Sequence, residues 1–144
     1  MPILFDSSVY IAALRQGGDA SLPLQRWADK SPVWLSSVVL EELYAGVSPG
    51  DRRIVEKLER DFERVSRVLV PNLSDWVSTG KILARLAQKY GYERIGRARL
   101  TNDALIAMSA ARTGTIILTS NPRDFARLAE FHVFSWRVQT VNRA

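Results

Sequence analysis

Four carboxylates, far apart in the chain, are the side chains best suited to do chemistry. They are Asp6 behind the apolar run Ile3-Leu4-Phe5, Glu42 within Val39-Leu40-Glu41-Glu42-Leu43, Asp103 within Asn102-Asp103-Ala104-Leu105-Ile106-Ala107, and Asp124 within Thr119-Ser120-Asn121-Pro122-Arg123-Asp124-Phe125. Two of them stand just past short, wholly apolar runs of the kind that form buried parallel strands. In an open α/β sheet, ligands bind in the crevice outside the carboxyl ends of the strands. Carboxylates gathered there, in an otherwise basic chain, point to a hard cation holding a phosphodiester.

Composition narrows the choice. A 47% apolar and 24% charged make-up over 144 residues is that of a globular chain able to bury one ordinary core, so a single domain spanning 1–144 is expected. The absence of cysteine excludes disulfides and thiolate-held metals, and the single histidine, His132, excludes multi-histidine sites. Any metal must therefore be held by oxygen, which favours Mg²⁺ and, after it, Mn²⁺. The net charge of +5 and pI of about 10.0 favour an acidic partner. Of the 20 basic residues 16 are arginine, whose planar fork suits phosphates and base edges, so nucleic acid is the preferred partner over a merely solubilising basic surface. No apolar run approaches the ~18 residues of a membrane span. The chain meets Asp6 without a basic leader, so neither membrane insertion nor a signal peptide is expected, and the cytoplasm is the expected location.

The elements that must position these acids alternate along the chain. Pro2 to Phe5 reads as a first strand, followed by a short helix capped by Ser7 and Ser8, running to Leu14 and stopped by Gly17-Gly18. A helix is expected across Leu22 to Ala28, then a strand at Val33-Trp34-Leu35 and a helix from a Ser36 or Ser37 cap to Gly46. Asp51 to about Ser66 is amphipathic, with Ile54, Leu58, Phe62 and Val65 on one stripe. Val68-Leu69-Val70 is a third strand, and Ser74 caps a long helix with Trp76, Leu83, Leu86, Ala87 and Tyr90 on one face. Gly91 to Arg99 reads as a basic loop. Thr101 or Asn102 then opens a helix apolar nearly all round, ended by Gly114 before a fourth strand, Thr115 to Thr119. A short helix over Pro122 to Glu130 and an edge strand at Val133-Phe134 complete an α/β chain with a mainly parallel sheet of four to five strands.

Each acid also has a plain structural reading. Asp6 suits a helix N-cap, and Asp103 suits the first turn of a helix, where it would complement the dipole by about 0.3–1 kcal/mol. The helix behind Asp103 is buried, however, so its carboxylate needs a compensating partner, and a metal ion is one. On a helical wheel Glu41 and Glu42 both lie off the stripe of Val39, Leu40, Leu43 and Val47, and geometry does not choose between them. Asp124 can pair with Arg127 at i+3, while Asn121 directly follows the fourth strand and competes with Asp124 for the crevice.

Taken together, the stations match a known order and spacing: the chain resembles the PIN-domain ribonucleases, and among them the VapC-type toxins of type II toxin–antitoxin pairs. Phe5 to Ile11 resembles the opening motif of that family, and Glu42-Leu43-Tyr44-Ala45-Gly46 the second, which selects Glu42 over Glu41. Asn102 to Ala107 matches the third and Thr119 to Phe125 the fourth. The resemblance implies a PIN-like three-layer α/β/α sandwich and Mg²⁺- or Mn²⁺-dependent cleavage of RNA. It also implies neutralisation by a cognate antitoxin across the active face, and homodimerisation, for which the helix around Trp76 is the expected interface. Some members carry Asp where this chain has Asn121, which leaves Asp124 as the charged candidate there.

In this reading Asp6, Glu42 and Asp103 hold metal, Asp124 completes the catalytic set, and metal-activated water is the nucleophile. Ser7, Thr119 and Asn121 orient ligands or water from behind, and Arg94, Arg97 and Arg99 contact the RNA backbone. A phosphoaspartyl site would need a further acid beside Asp6, where Ser7-Ser8 stand, and no glycine-rich turn follows a strand as dinucleotide binding requires. The rival of another class is a catalytically silent RNA-binding or protein-binding module.

Overall fold

The short apolar runs do become strands, because each is too short to form an amphipathic helix and too apolar to remain in solvent. The computed structural model describes residues 1–17, 30–91 and 97–139, with 97–99 described by backbone alone. Its strands are β1 (Ile3–Phe5), β2 (Val33–Ser36), β3 (Val68–Leu69), β4 (Ile116–Thr119) and β5 (Trp136–Val138). They form one sheet in the order β3-β2-β1-β4-β5, parallel throughout. Ile3 lies between Val33 and Ile116 in register, and Phe5 opposite Leu118. The strand order reverses at β1, so the crevice at the carboxyl ends of β1 and β4 is the switch point of the fold.

The described helices are α1 (Ser7–Arg15), α2 (Ser37–Gly46), α3 (Arg52–Arg64), α4 (Leu73–Tyr90), α5 (Arg97–Thr113) and α6 (Pro122–Leu128). Right-handed crossovers running from β1 towards β3 put α1, α2 and α3 on one face. The return to β4 and β5 puts α4, α5 and α6 on the other, and packing within each group agrees. The result is the expected α/β/α sandwich around a core of Leu4, Phe5, Leu35, Ile106 and Ile117. Gly114, at φ 65, takes the left-handed turn that ends α5 and feeds β4.

Several boundaries differ from the sequence reading. The edge strand is Trp136–Val138 rather than Val133-Phe134: Val133 is 93% exposed, and the Phe134 ring turns inward, 6.3 Å edge-on from Phe125. The expected basic loop from Gly91 to Arg99 is helical by Arg97, because Leu100 is buried and extends the stripe of Ala104 and Met108 by one turn. Asp103 therefore lies in the second turn of α5, away from the first-turn N–H groups, and a dipole role does not account for it. The helix expected at Leu22 to Ala28 lies outside the described residues.

At the start of α4 the cap is Asn72, not Ser74. Asn72 Oδ1 accepts from the Asp75 N–H at 3.0 Å and Asp75 Oδ2 accepts from the Asn72 N–H at 2.9 Å, a reciprocal capping box. That pairing turns Asp75 inward and leaves Trp76 55% exposed, so Trp76 does not share the face of Leu86 and Ala87. Buried Asp75 also accepts from Arg112 Nε on both oxygens, at 3.1 and 3.0 Å, while the Arg112 guanidinium reaches the Val70 carbonyl at 3.3 Å. This clamp pins α4 to the C-terminal end of α5. Arg112→Ala should cost about 2–3 kcal/mol, less than a fully buried pair because the arginine is partly exposed, and Arg112→Lys should recover part of it. Chemical denaturation checks this, and a loss below about 0.5 kcal/mol would remove the clamp from the fold's stability.

Candidate active site

The site is built from β1 outward. Asp6 leaves the carboxyl end of β1, its N–H still paired to the Leu118 carbonyl at 3.0 Å, so the backbone holds it within the sheet. It occupies the N-cap position of α1, yet its side chain makes no capping bond. Its oxygens are taken instead by hydroxyls: Ser8 Oγ donates to Oδ1, and Thr119 Oγ1 donates to Oδ2 at 2.6 Å. Burial raises the Asp6 pKa above the usual carboxylate range, against the opposing pull of the Ser8 and Thr119 hydroxyls and the nearby N–H groups of Val9 and Ser8.

Glu42 comes from the middle of α2, and its neighbour Glu41 faces solvent. Glu41 Oε2 accepts from Asn102 Nδ2 at 3.1 Å, a contact that brings α2 against α5. Glu42 turns inward and is half-buried. Its pKa is pushed up to about 6, first by burial and then by the charges of Glu41 and Asp6, with hydrogen bonds from Ser7 and Asn102 opposing. Its Oε1 is buried and accepts no hydrogen bond from any described residue. A buried acceptor in that state costs about 1–3 kcal/mol unless something meets it.

Asp103 feels all the others. Burial, then the charges of Glu42, Asp124 and Asp6, and then a hydrogen bond with Asp124 push its pKa up to about 8. Asp124, half-buried in the first turn of α6, thus belongs to the acidic group. Asn121 meets it only through the backbone: its N–H donates to Thr119 Oγ1 at 3.0 Å, and its side chain does not cap α6. Carboxylates from β1's end, α2 and α6 are therefore all within electrostatic reach of Asp103 on α5. Among the described residues no three are already drawn around a single point as ligands.

The donor set nonetheless suits a hard divalent cation. It is all oxygen, it carries an orphaned buried acceptor in Glu42 Oε1, and neighbouring negative charges add to burial in raising the Glu42 and Asp103 pKa values. Ser7 hydrogen-bonds Glu42, and Thr119 Oγ1 donates to Asp6 Oδ2. Ser8, read from the sequence as a helix cap, and Asn102, read there as a candidate start of the buried helix, also touch the acids. Only their places beside Asp6 and Asp103 in sequence could have marked them. Of the arginines assigned to RNA, Arg94 and the side chains of Arg97 and Arg99 lie outside the described residues.

The site is thus a switch-point crevice lined by carboxylates on a parallel α/β/α sandwich. Residues 3–131 match the PIN domain family, and the chain belongs to that family. Its fold is similar to that of a chain in VapBC2 from Rickettsia felis bound to a DNA fragment from their promoter, at 23% identity and TM-score 0.69, covering 97% of this chain and 100% of that one. It is similar also to a chain of DNA-bound VapBC from Salmonella typhimurium, at 24% identity and TM-score 0.68, covering 96% and 98%. A third likeness, at 23% identity and TM-score 0.55, covering 97% and 98%, is to VapBC-5 from Mycobacterium tuberculosis, a member of the VapBC family of toxin–antitoxin systems. Comparison with curated proteins gives no significant match.

The raised Asp103 pKa makes a prediction for the metal-free protein. Between the usual carboxylate value near 4 and about 8, the native state holds a proton that the unfolded chain has released. The resulting contribution to stability is full below pH 4 and is lost as pH rises to about 8. In EDTA the melting temperature should therefore decline across that window. Asp103→Asn should raise it at pH 8 and flatten the decline, and saturating Mg²⁺ should flatten it for the unaltered chain. A melting temperature lowered at pH 8 by Asp103→Asn would show that the carboxylate is not strained by its neighbours.

Proposed function

We propose that this chain is a Mg²⁺-dependent endoribonuclease, with Mn²⁺ an acceptable substitute, and that it acts as the toxin of a type II toxin–antitoxin pair. The observation that carries the nuclease reading is the gathering of Asp6, Glu42 and Asp124 around Asp103 at the switch point, with Glu42 Oε1 buried and unmatched. Membership of the PIN family supports hydrolysis at that crevice. The net charge of +5, with arginine supplying 16 of 20 cations, supports a polyanionic substrate drawn to an acidic site from a basic surface.

Asp6, Glu42 and Asp103 would hold the cation, which would supply Lewis-acid activation of water and neutralise charge on the phosphodiester. Asp6 is pre-oriented for this by two hydroxyls, so little reorganisation is needed as substrate binds. Ser7 and Asn102 keep Glu42 turned inward. Asp124, hydrogen-bonded to Asp103 and half-exposed, is the group placed to accept a proton and pass it to solvent. Burial of Asp6 and of all residues from Ala104 to Ala110 excludes bulk water from the floor of the site.

An antitoxin partner is carried over from the VapBC complexes whose fold this chain shares. Homodimerisation would use the exposed apolar residues Leu73, Trp76 and Val77 of α4. No helix among the described residues is long and apolar enough to cross a membrane, in keeping with a cytoplasmic setting.

The test is cleavage of an RNA pool with Mg²⁺ and then with EDTA, alongside Asp103→Asn. Cleavage should require the cation, and the variant should lose about a hundredfold or more in rate, because removing a charge that the transition state needs costs several kcal/mol. RNA binding without cleavage in either condition would favour the silent module, and near-normal cleavage by Asp103→Asn would remove that residue from the site.

A further inference from the structure

Behind Asp6 lies a pair of hydroxyl relays that joins it to the loop between β4 and α6. The Ser120 N–H donates to Ser8 Oγ at 3.0 Å, and Ser8 Oγ donates to Asp6 Oδ1. The Asn121 N–H donates to Thr119 Oγ1 at 3.0 Å, and Thr119 Oγ1 donates to Asp6 Oδ2 at 2.6 Å. Two successive backbone N–H groups of one loop thus reach the two oxygens of one carboxylate through two side chains 111 residues apart in sequence.

Direction follows from proton counting. A hydroxyl has one proton and two lone pairs. Because Ser8 Oγ already accepts from a backbone N–H, its own proton must find an acceptor. Thr119 Oγ1 is 3.5 Å away, too far to compete with Asp6 Oδ1. Thr119 has a second acceptor in the Asn121 carbonyl at 3.2 Å, but Asp6 Oδ2 is nearer and the site is buried. Each Asp6 oxygen therefore accepts from one hydroxyl. With both oxygens held, the carboxylate plane cannot rotate. Asp124 lies on the helix that this loop opens, so the same relays set Asp6 against Asp124.

We propose that Ser8 is a positioning residue for Asp6, tying it to the Ser120–Asn121 loop. The assignment rests on the nuclease reading above for its effect on cleavage, but the tether itself does not depend on that reading. Thr119 alone cannot replace Ser8, because one hydroxyl on one oxygen leaves the carboxylate plane free to turn about the remaining bond. Helix capping does not explain Ser8 either, since its hydroxyl is spent on Asp6 and Ser120 rather than on the first N–H groups of α1.

The experiment compares the unaltered chain with Ser8→Ala, with Ser8→Cys as a second variant of similar volume and weak donor strength, and with Ser8→Thr as the hydroxyl-restoring control. Three quantities are read: amide deuterium exchange at Ser120 in EDTA, the Mg²⁺ dissociation constant by calorimetry, and kcat and KM on RNA oligonucleotides. Ser8→Ala should speed Ser120 exchange by roughly tenfold, weaken Mg²⁺ binding by about tenfold or more, and lower kcat by ten- to a hundredfold with KM nearly constant. Ser8→Thr should restore all three. Unchanged Ser120 exchange would overturn the tether. Faster exchange with unchanged Mg²⁺ affinity and kcat would overturn the positioning role. If the unaltered chain cleaves no RNA, the nuclease reading falls, and Ser8 is then judged on Ser120 exchange and Mg²⁺ affinity alone.

Discussion

Like charges forced together out of water are the constraint around which this molecule is arranged. Asp6, Glu42, Asp103 and Asp124 reach one crevice, and each of the first three has a raised pKa whose leading cause is burial. Two carboxylates about 5 Å apart repel by roughly 3 kcal/mol at an effective dielectric near 20, so the packing that brings them together must be strong. A fold under no functional demand would relax that repulsion by turning one side chain to solvent, as Glu41 has turned. The cost falls on the free protein, and under the proposed function a bound cation would offset it, which is how stability and function trade against each other at such sites.

The packing that resists this repulsion is concentrated in α5. Every residue from Ala104 to Ala110 is buried, and Ser109, polar within that run, donates to the Leu105 carbonyl at 2.8 Å. The Asp75–Arg112 clamp fixes the far end of the helix to α4. Asp103 is thus carried on a rigid element whose position is set by many apolar contacts rather than by its own chemistry. Asp6 is held differently. The parallel ladder fixes its backbone, and hydroxyls from α1 and β4 fix its carboxylate plane. Rigidity comes from packing at one acid and from hydrogen bonds at the other, and a preorganised site needs both.

Four acids line the crevice of a chain whose net charge is +5, the balance that the proposed function uses to draw a polyanion towards a cation held between them. Some of the basic side chains are engaged within the chain: Arg127 lies over the Tyr90 ring at 5.3 Å and Arg85 over Phe131 at 5.4 Å, close to the contacts from Lys89 and Tyr90 to Glu130. These groups knit α4 to the end of α6. They also warn that a count of arginines overstates what is free for a nucleic acid.

The sequence by itself determined the alternation of elements and the identity of the acids. Runs such as Ile3-Leu4-Phe5 and Ile116-Ile117-Leu118 have no other stable use than as buried strands, and absent cysteine and scarce histidine leave oxygen as the only metal donor. It could not choose Glu42 over Glu41 except by resemblance, because both lie off the apolar stripe of α2. The structure separates them by exposure: Asn102 reaches both, but Glu41 faces solvent while Glu42 turns inward towards Asp6 and Asp103. Tertiary structure likewise decided that Asp103 sits in a second helical turn, that Asp75 faces inward, that β5 begins at Trp136, and that Ser8 serves Asp6 rather than its helix. Distant partners complete several of these, Arg112 for Asp75, Thr119 for Asp6 and Ile117 for Trp136, and local pattern carries no information about contacts that exist only once the sheet has closed at its switch point.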